Sequence, residues 1–387
     1  MNVYLDNAAT TPLDPRVLEA MMPYFSEHFG NPSSTHAHGR ATRSAIEAAR
    51  KQVAELLGAT PGELFFTSGG TEADNTALRC SIEALNLKHA ITSRTEHHAV
   101  LHPLQTMEQN GQIQLSYVRV DAQGNVDFNH LEELLANNAR SLVSLMHGNN
   151  EIGNLTDLER VGELCAAHDA VFHSDTVQTL AHYPLNLHEL PVHCVAGAAH
   201  KFHGPKGVGL LYINKAHKIH PLLRGGNQER SMRGGTENLY GIIGLARALA
   251  IGCEEMAEHQ RHIRALKQRM INQLRARIPD VRFNGTSGRL DDSLYTVLNV
   301  SFPPSEASEM LLFNLDLSGI SVSGGSACSS GAALGSHVLR ALDADPQRAS
   351  VRFSFSRLNT AAEVDYVVNK VAELYPAKAA SSVSEPY

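Results

Sequence analysis

The chain has 387 residues, 43% of them hydrophobic, enough for a substantial core and about two domains. Its net charge of −7 comes with no long run of one sign, and no apolar stretch is long enough to span a bilayer, so neither a nucleic-acid footprint nor a membrane anchor is read. The N-terminal stretch MNVYLDNAATTP has no signal-peptide character, the five cysteines are scattered without a CxxC pair, and the 21 histidines form no HExxH, which predicts a cytoplasmic protein without disulfides or a metal site.

A helix is expected from Asp14 as N-cap, with Pro15 at the first helical position and Pro23 bending or weakening it. A second lies between Gly39 and Gly58, where Ile46, Ala49, Val53, Leu56 and Leu57 follow the helical period. Strands and helices then alternate. Strand candidates are ELFFTS, HAITS, LSYVRV, SLVSLMH, AVFHSD, HCVAGA and GVGLLYIN, several of them near-continuous apolar runs of the kind buried parallel strands show. TEADNTALRCSIEAL and TDLERVGELCAAHD read as helices between them. The alternation predicts an α/β domain with a mostly parallel sheet.

Past about residue 257 the order becomes mixed: a long charged helix through EEMAEHQRHIRALKQRMINQLRARI, short strands VRFNG and TVLNVSF, a helix near EASEMLLFNL, a strand SVRFSFS and a helix AAEVDYVVNKVAELY. The expected division is a large domain over 15–257, a small α+β domain made of 1–14 and 258–375, and a disordered polar tail over 376–387.

Three turns carry candidate chemistry. In TSGGTEADN (67–75) two glycines run into a helix start, an arrangement whose backbone N–H groups suit a phosphate; an ordinary strand-to-helix turn reads the same way. In FHSDTVQ (172–178), Asp175 closes an apolar strand, where a carboxylate points into the ligand crevice of an open α/β sheet or merely caps a helix. In AAHKFHGPKGVG (198–209), Lys201 ends a strand, placed either to form an imine or as a surface lysine. A phosphate turn, a carboxylate and a lysine at successive strand ends are the parts pyridoxal 5'-phosphate requires. Finally, SGGSACSSG (323–331) surrounds Cys328 with residues too small to pack, so the thiol reads either as a chance exposed cysteine or as a nucleophile on a mobile arm.

The segments YLDNAATTP, TEHHAV, HGNNEIG, SDTVQ, HKFHGPKGVG, RGGTEN and SGGSACSSG, spread along nearly the whole chain, together resemble the NifS/IscS cysteine desulfurases (group I) of the class V aminotransferase superfamily. The resemblance implies the fold-type-I transferase architecture of pyridoxal-phosphate enzymes: a large α/β domain with a mostly parallel sheet and a smaller α+β domain that carries the cysteine loop. It implies conversion of L-cysteine to L-alanine, with the sulfur passing to Cys328 as a persulfide and then to an acceptor for iron–sulfur cluster assembly or other sulfur-compound synthesis. Lys201 would hold the cofactor and move the substrate's α-proton, Asp175 would pair with the ring nitrogen, and Gln178 and Asn150 would lie at the phenolic oxygen. His97 would stack on the ring as acid/base, and Gly70, Thr71 and His200 would bind the phosphate. Thr236 would reach the phosphate of a second subunit in a homodimer, and Asn31 and Arg352 would hold the substrate carboxylate. Another class V enzyme (a selenocysteine lyase or an aminotransferase) and a catalytically weak assembly subunit are the alternatives.

Two positions depart from the pattern. Ala198 stands where the family commonly has a serine or threonine that binds the phosphate, and the chain stops soon after its last helix, where the IscS type continues into a segment that contacts the iron–sulfur scaffold. The implied partner is therefore a sulfur-acceptor protein, with the scaffold not assigned. Cys80, Cys165, Cys194 and Cys253 read as packing residues, and His98 and Arg233 as a neighbour and an interface residue.

Overall fold

The computed structural model describes residues 1–305, 308–324 and 335–375. Cys328, the loop around it and the tail over 376–387 lie outside the described residues. The chain opens with β1 (Val3–Tyr4) and α1 (Pro15–Met21), the latter capped as its sequence predicts, with Asp14 accepting the Arg16 N–H. Pro23 ends that helix and starts α2 (Pro23–Ser26). α3 (Ala37–Leu56) begins two residues before the expected Gly39, because His36 caps it through Nδ1.

The alternating section follows in order: β2 (Leu64–Thr67), α4 (Gly70–Leu85), β3 (His89–Ser93), α5 (His98–Gln109), β4 (Gln114–Val118), α6 (Phe128–Ala136), β5 (Ser141–Ser144), α7 (Leu158–Ala167), β6 (Val171–Asp175), β7 (Cys194–Ala198) and β8 (Gly209–Ile213). These strands form one seven-stranded sheet in the order β2-β8-β7-β6-β5-β3-β4. β8 runs antiparallel to both neighbours, and the other six share one direction. The sheet is buried on both faces. In β6, Val171 belongs to the core under α4 and α5, while the next residue, Phe172, belongs to the larger core that includes α3 and α7.

The remainder is α8 (Leu239–Glu254), α9 (Met256–Arg277), β9 (Arg282–Phe283), β10 (Val297–Ser301), α10 (Leu311–Leu317), β11 (Ile320–Ser321), α11 (His337–Ala341), β12 (Ser350–Ser354) and α12 (Ala361–Leu374). β12, β10 and β9 form an antiparallel sheet, and β1 returns to pair with β11. Ile263, Leu266, Met270, Ile271 and Leu274 of α9 recur at helical spacing and pack a second core with β10, β12 and α12. Val3 and Leu5 join that core from the other end of the chain.

α5, α6 and α8 were not anticipated. α8 is buried along most of its length and packs on both α1 and α3, so it lacks the one-faced pattern that reveals an amphipathic helix. α5 contains Pro103 and two histidines that interrupt its period.

Candidate active site

The strands that share a direction end along one edge of the large sheet, and the turns leaving them build a cavity of about 390 Å³. The turn after β2 contributes Gly70 and Thr71, the turn after β3 His97, the turn after β5 Asn150, the end of β6 Asp175 and Gln178, and the end of β7 Ala198, His200 and Lys201. Arg352 of β12 lines the same cavity. This is the strand edge where open α/β sheets bind ligands.

Gly70 opens α4 against β6. A Cβ there would lie 2.7 Å from Val177 Cγ2 and 3.7 Å from Ala198 Cβ, so a side chain would push apart the floor that brings the helix N-terminus into the cavity. Lys201 Nζ donates to the carbonyls of Ala8 (2.6 Å) and Ala9 (2.9 Å), which enter from the N-terminal segment. Gln178 Nε2 donates to the same Ala8 carbonyl at 3.0 Å. His200 Nδ1 lies 3.2 Å from Thr10 Oγ1.

Asp175 is buried and accepts the Val177 N–H at 2.9 Å, and burial together with the nearby Asp74 carboxyl pushes its pKa up to about 7. Such a carboxyl gains most from a cationic partner. His97 caps α5, its Nδ1 accepting the Ala99 N–H at 3.1 Å, which leaves Nε2 as the nitrogen available to a ligand. Burial, reinforced by Lys201 and three neighbouring histidines, lowers its pKa to about 4, so the ring is neutral at physiological pH. Arg352, only 2% exposed, donates to Asp6 Oδ1 at 2.8 Å and to the Asn150 carbonyl at 3.0 Å, while its Nε has no partner among the described residues. The donor set fits pyridoxal phosphate: a helix N-terminus for the phosphate, an elevated carboxyl for the ring nitrogen and a lysine for the aldehyde.

Two expected site residues are elsewhere. Thr236 lines a separate pocket with Thr67, Arg233 and Asn238. Asn31 is exposed, its Oδ1 capping the Ser33 N–H. Arg233 pairs with Glu72 at 3.0 Å, and His98 lines the cavity, stacked between His102 and His337. Cys80, Cys165 and Cys194 are buried, and burial raises the thiols to about 11, 12 and 12, values that suit packing and not nucleophilic attack. Sequence reasoning missed Asp74, Glu151 and His337 in the cavity wall, and the two carbonyls that hold Lys201. TEADN holds Asp74 three residues after Thr71, one turn along the helix, and that spacing was the available signal.

The sequence profile of the aminotransferase class-V family matches residues 3–367. The chain belongs to this family. A relative described as cysteine desulfurase IscS from Dictyoglomus turgidum is 45% identical over 372 residues, covering 95% of this chain and 93% of that protein. A solved structure titled as a NifS-like protein superposes with a TM-score of 0.89 at 38% identity, covering 97% of this chain and 99% of the other. A second, titled SspA in complex with cysteine, gives 0.80 at 29% identity over 92% of this chain and all of the other. The family is pyridoxal-phosphate dependent and of fold type I, in line with the sheet and cavity described above.

Proposed function

We propose that the chain is a pyridoxal-phosphate-dependent cysteine desulfurase, which converts L-cysteine to L-alanine and leaves the sulfur on Cys328. The observation that carries this is the convergence of Lys201, Asp175, His97 and the Gly70–Thr71 turn in one cavity with Arg352 on its wall. Bound there, the cofactor supplies an electron sink that lets the substrate's carbon–sulfur bond break. Gly70, Thr71 and His200 would hold the phosphate, Asp175 would keep a proton on the ring nitrogen, and Gln178 and Asn150 would serve the phenolic oxygen. Lys201 would move the substrate's α-proton, and His97 would pack against the cofactor and exchange a proton at Nε2. Arg352 binds the substrate carboxylate, a planar anion suited to a guanidinium; Asn31, which lies outside this cavity, is given no part in it. The Cys328 thiolate attacks the substrate sulfur, the S–S bond forms as the C–S bond breaks, and the departing carbon is protonated: cysteine plus thiol gives alanine plus persulfide. Cys328 stands in SGGSACSSG, the group-I-type motif of the resemblance given above, and would pass the sulfur on to an acceptor protein.

The enzyme works as a homodimer. Thr236 lies in a different pocket from the Lys201 of its own chain, which is compatible with its reaching the cofactor phosphate of a second subunit. The exposed apolar residues Met22, Phe25, Phe29 and Tyr240, with Phe25 stacked on Tyr240 at 4.4 Å, supply a surface for the second copy. We place it in the cytoplasm, and its product goes to a sulfur-acceptor protein in iron–sulfur or other sulfur-compound synthesis; no helix among the described residues is long and apolar enough to cross a membrane. The two hydrophobic cores support a large domain over 15–257 and a small one made of 1–14 and 258–375.

The test is incubation with L-cysteine without reductant, quantifying alanine and locating added sulfur by mass spectrometry beside Cys328→Ala. Alanine with a mass gain on the Cys328 peptide, both lost in the variant, is the expected result. A variant as active as the native protein, or no alanine from the native protein, would overturn the proposal.

A further inference from the structure

Behind the cavity, three titratable groups are packed together that the desulfurase chemistry above does not use. Asp74, on the first turns of α4, and His173, on β6, are each at most 1% exposed, with Asp74 Oδ1 3.3 Å from His173 Nε2. His173 Nδ1 lies 2.9 Å from Ser144 Oγ. His173 and Asp175 are two residues apart on one strand and so share a face, which brings Asp175 beside Asp74. Glu96, from the turn before α5, is also fully buried and accepts the Met146 N–H at 2.8 Å. Lys201 lines the same cavity and its charge favours the Asp175 anion.

Two buried carboxylates this close cannot both be anions without a large cost, so the pair holds a proton. The contacts decide where it sits. Asp175 accepts a backbone N–H and faces Lys201, and both favour its anion. Asp74 receives no N–H among the described residues, and its Oδ1 faces a ring nitrogen at a distance that repels unless a proton lies between. Burial lowers the pKa of His173, so the imidazole does not carry a second positive charge; burial also pushes the Asp74 carboxyl up with no hydrogen bond to offset it, whereas the Val177 N–H and Lys201 offset the same push on Asp175. Glu96 is likewise held well above its ordinary range and adds no competing anion.

We propose that Asp74 is a positioning residue: it carries the one proton of this buried pair, donates it in a hydrogen bond to His173 Nε2, and so leaves Asp175 as the lone anion beneath the cofactor's ring nitrogen. His173 then donates from Nδ1 to Ser144, which fixes its tautomer. The proposal rests on the pyridoxal-phosphate reading of the site. It explains why a second acid stands one turn after the phosphate-binding residues: the element that grips the phosphate also sets the charge under the ring.

Infrared difference spectroscopy of the holoenzyme at neutral pH, in H2O and D2O, tests it. Native minus Asp74→Asn is expected to show a protonated-carboxyl C=O band that shifts in D2O, and native minus Asp175→Asn only ionised-carboxylate bands. The reverse pattern overturns the assignment. If Asp74→Asn does not fold, native minus Asp175→Asn still decides, because the band of the protonated Glu96 cancels in the difference: ionised-carboxylate bands alone support Asp74 as the proton holder, and an acid band lost with Asp175 puts the proton on Asp175. Cofactor absorbance from the same samples separates two failures. Its absence in the native protein overturns the cofactor reading, whereas the wrong infrared band with normal absorbance overturns the Asp74 assignment alone.

Discussion

Ala198→Ser restores a hydroxyl at the end of β7, three residues before Lys201, and its two effects have opposite signs. Ala198 is 1% exposed, lines the cavity, and its Cβ lies 3.7 Å from where a Gly70 side chain would begin, so the new oxygen sits at the phosphate-binding turn. With phosphate present it makes one further hydrogen bond, about 0.5–1.5 kcal/mol, or roughly 2- to 12-fold in the cofactor's Kd. Without the cofactor the same hydroxyl is buried with nothing assigned to meet it, which costs about 1–3 kcal/mol of apoprotein stability. The assay is fluorescence titration of apoenzyme with pyridoxal phosphate, beside thermal unfolding of the apo and loaded forms. The expected result is a lower Kd together with a lower apoprotein Tm. An unchanged or raised Kd would refute the reasoning, because it would mean that β7 does not present this side chain to the phosphate.

Other predictions follow from groups outside the cavity. Glu229 holds the buried Arg50 guanidinium through two hydrogen bonds of 2.7 and 2.8 Å, so Glu229→Gln removes its buried anionic partner, leaves the exposed Glu47 carboxylate and the Leu64 carbonyl as its other acceptors, and is expected to cost about 3–5 kcal/mol in urea unfolding; a loss under about 1 kcal/mol would mean that Glu47 and Leu64 suffice to hold Arg50. Lys267 is fully buried and burial lowers its pKa from 10.5 to about 7, so the unfolded chain binds the extra proton between those values. Its contribution is therefore full above pH 10.5 and lost as pH falls to about 7, and Lys267→Met is expected to flatten the rise of Tm across that window; an unchanged slope would show that Lys267 is not its source. Phe25→Asp places a charge in the exposed Phe25–Tyr240 stack and is expected to yield a monomer by light scattering, with desulfurase activity falling because Thr236 no longer meets a partner's phosphate. A dimer of normal activity would move the interface elsewhere.

Much of the site was legible because its residues announce themselves by position. Asp175 ends an apolar strand and Lys201 ends the short turn that follows one, and a strand end in a parallel sheet fixes where such a side chain goes. Six of the seven strands of the large sheet also share a direction, as near-continuous apolar runs imply, and the family and fold read from the motifs were borne out. What was hidden depends on contacts distant in the chain. No local pattern marks Ala8 and Ala9 as acceptors for a lysine some 190 residues away, since any backbone carbonyl can serve. The reversal of β8 was equally invisible, because a fully buried strand has the same composition in either direction. α8 escaped for a related reason: burial on most sides removes the periodicity that identifies a helix.

The N-terminal segment has a consequence for how this protein is made. β1 pairs with β11 at Ile320–Ser321, Asn7 donates to the Ser354 carbonyl, and just beyond these anchors the carbonyls of Ala8 and Ala9 accept from Lys201. Val3 to Asn7 thus find these partners only after residue 354 has been synthesised, although the large sheet is complete by residue 213. Until β11 and β12 exist the segment that meets Lys201 is unanchored, so completing the surroundings of Lys201 is a late event, set by synthesis of those two strands and not by folding of the large sheet.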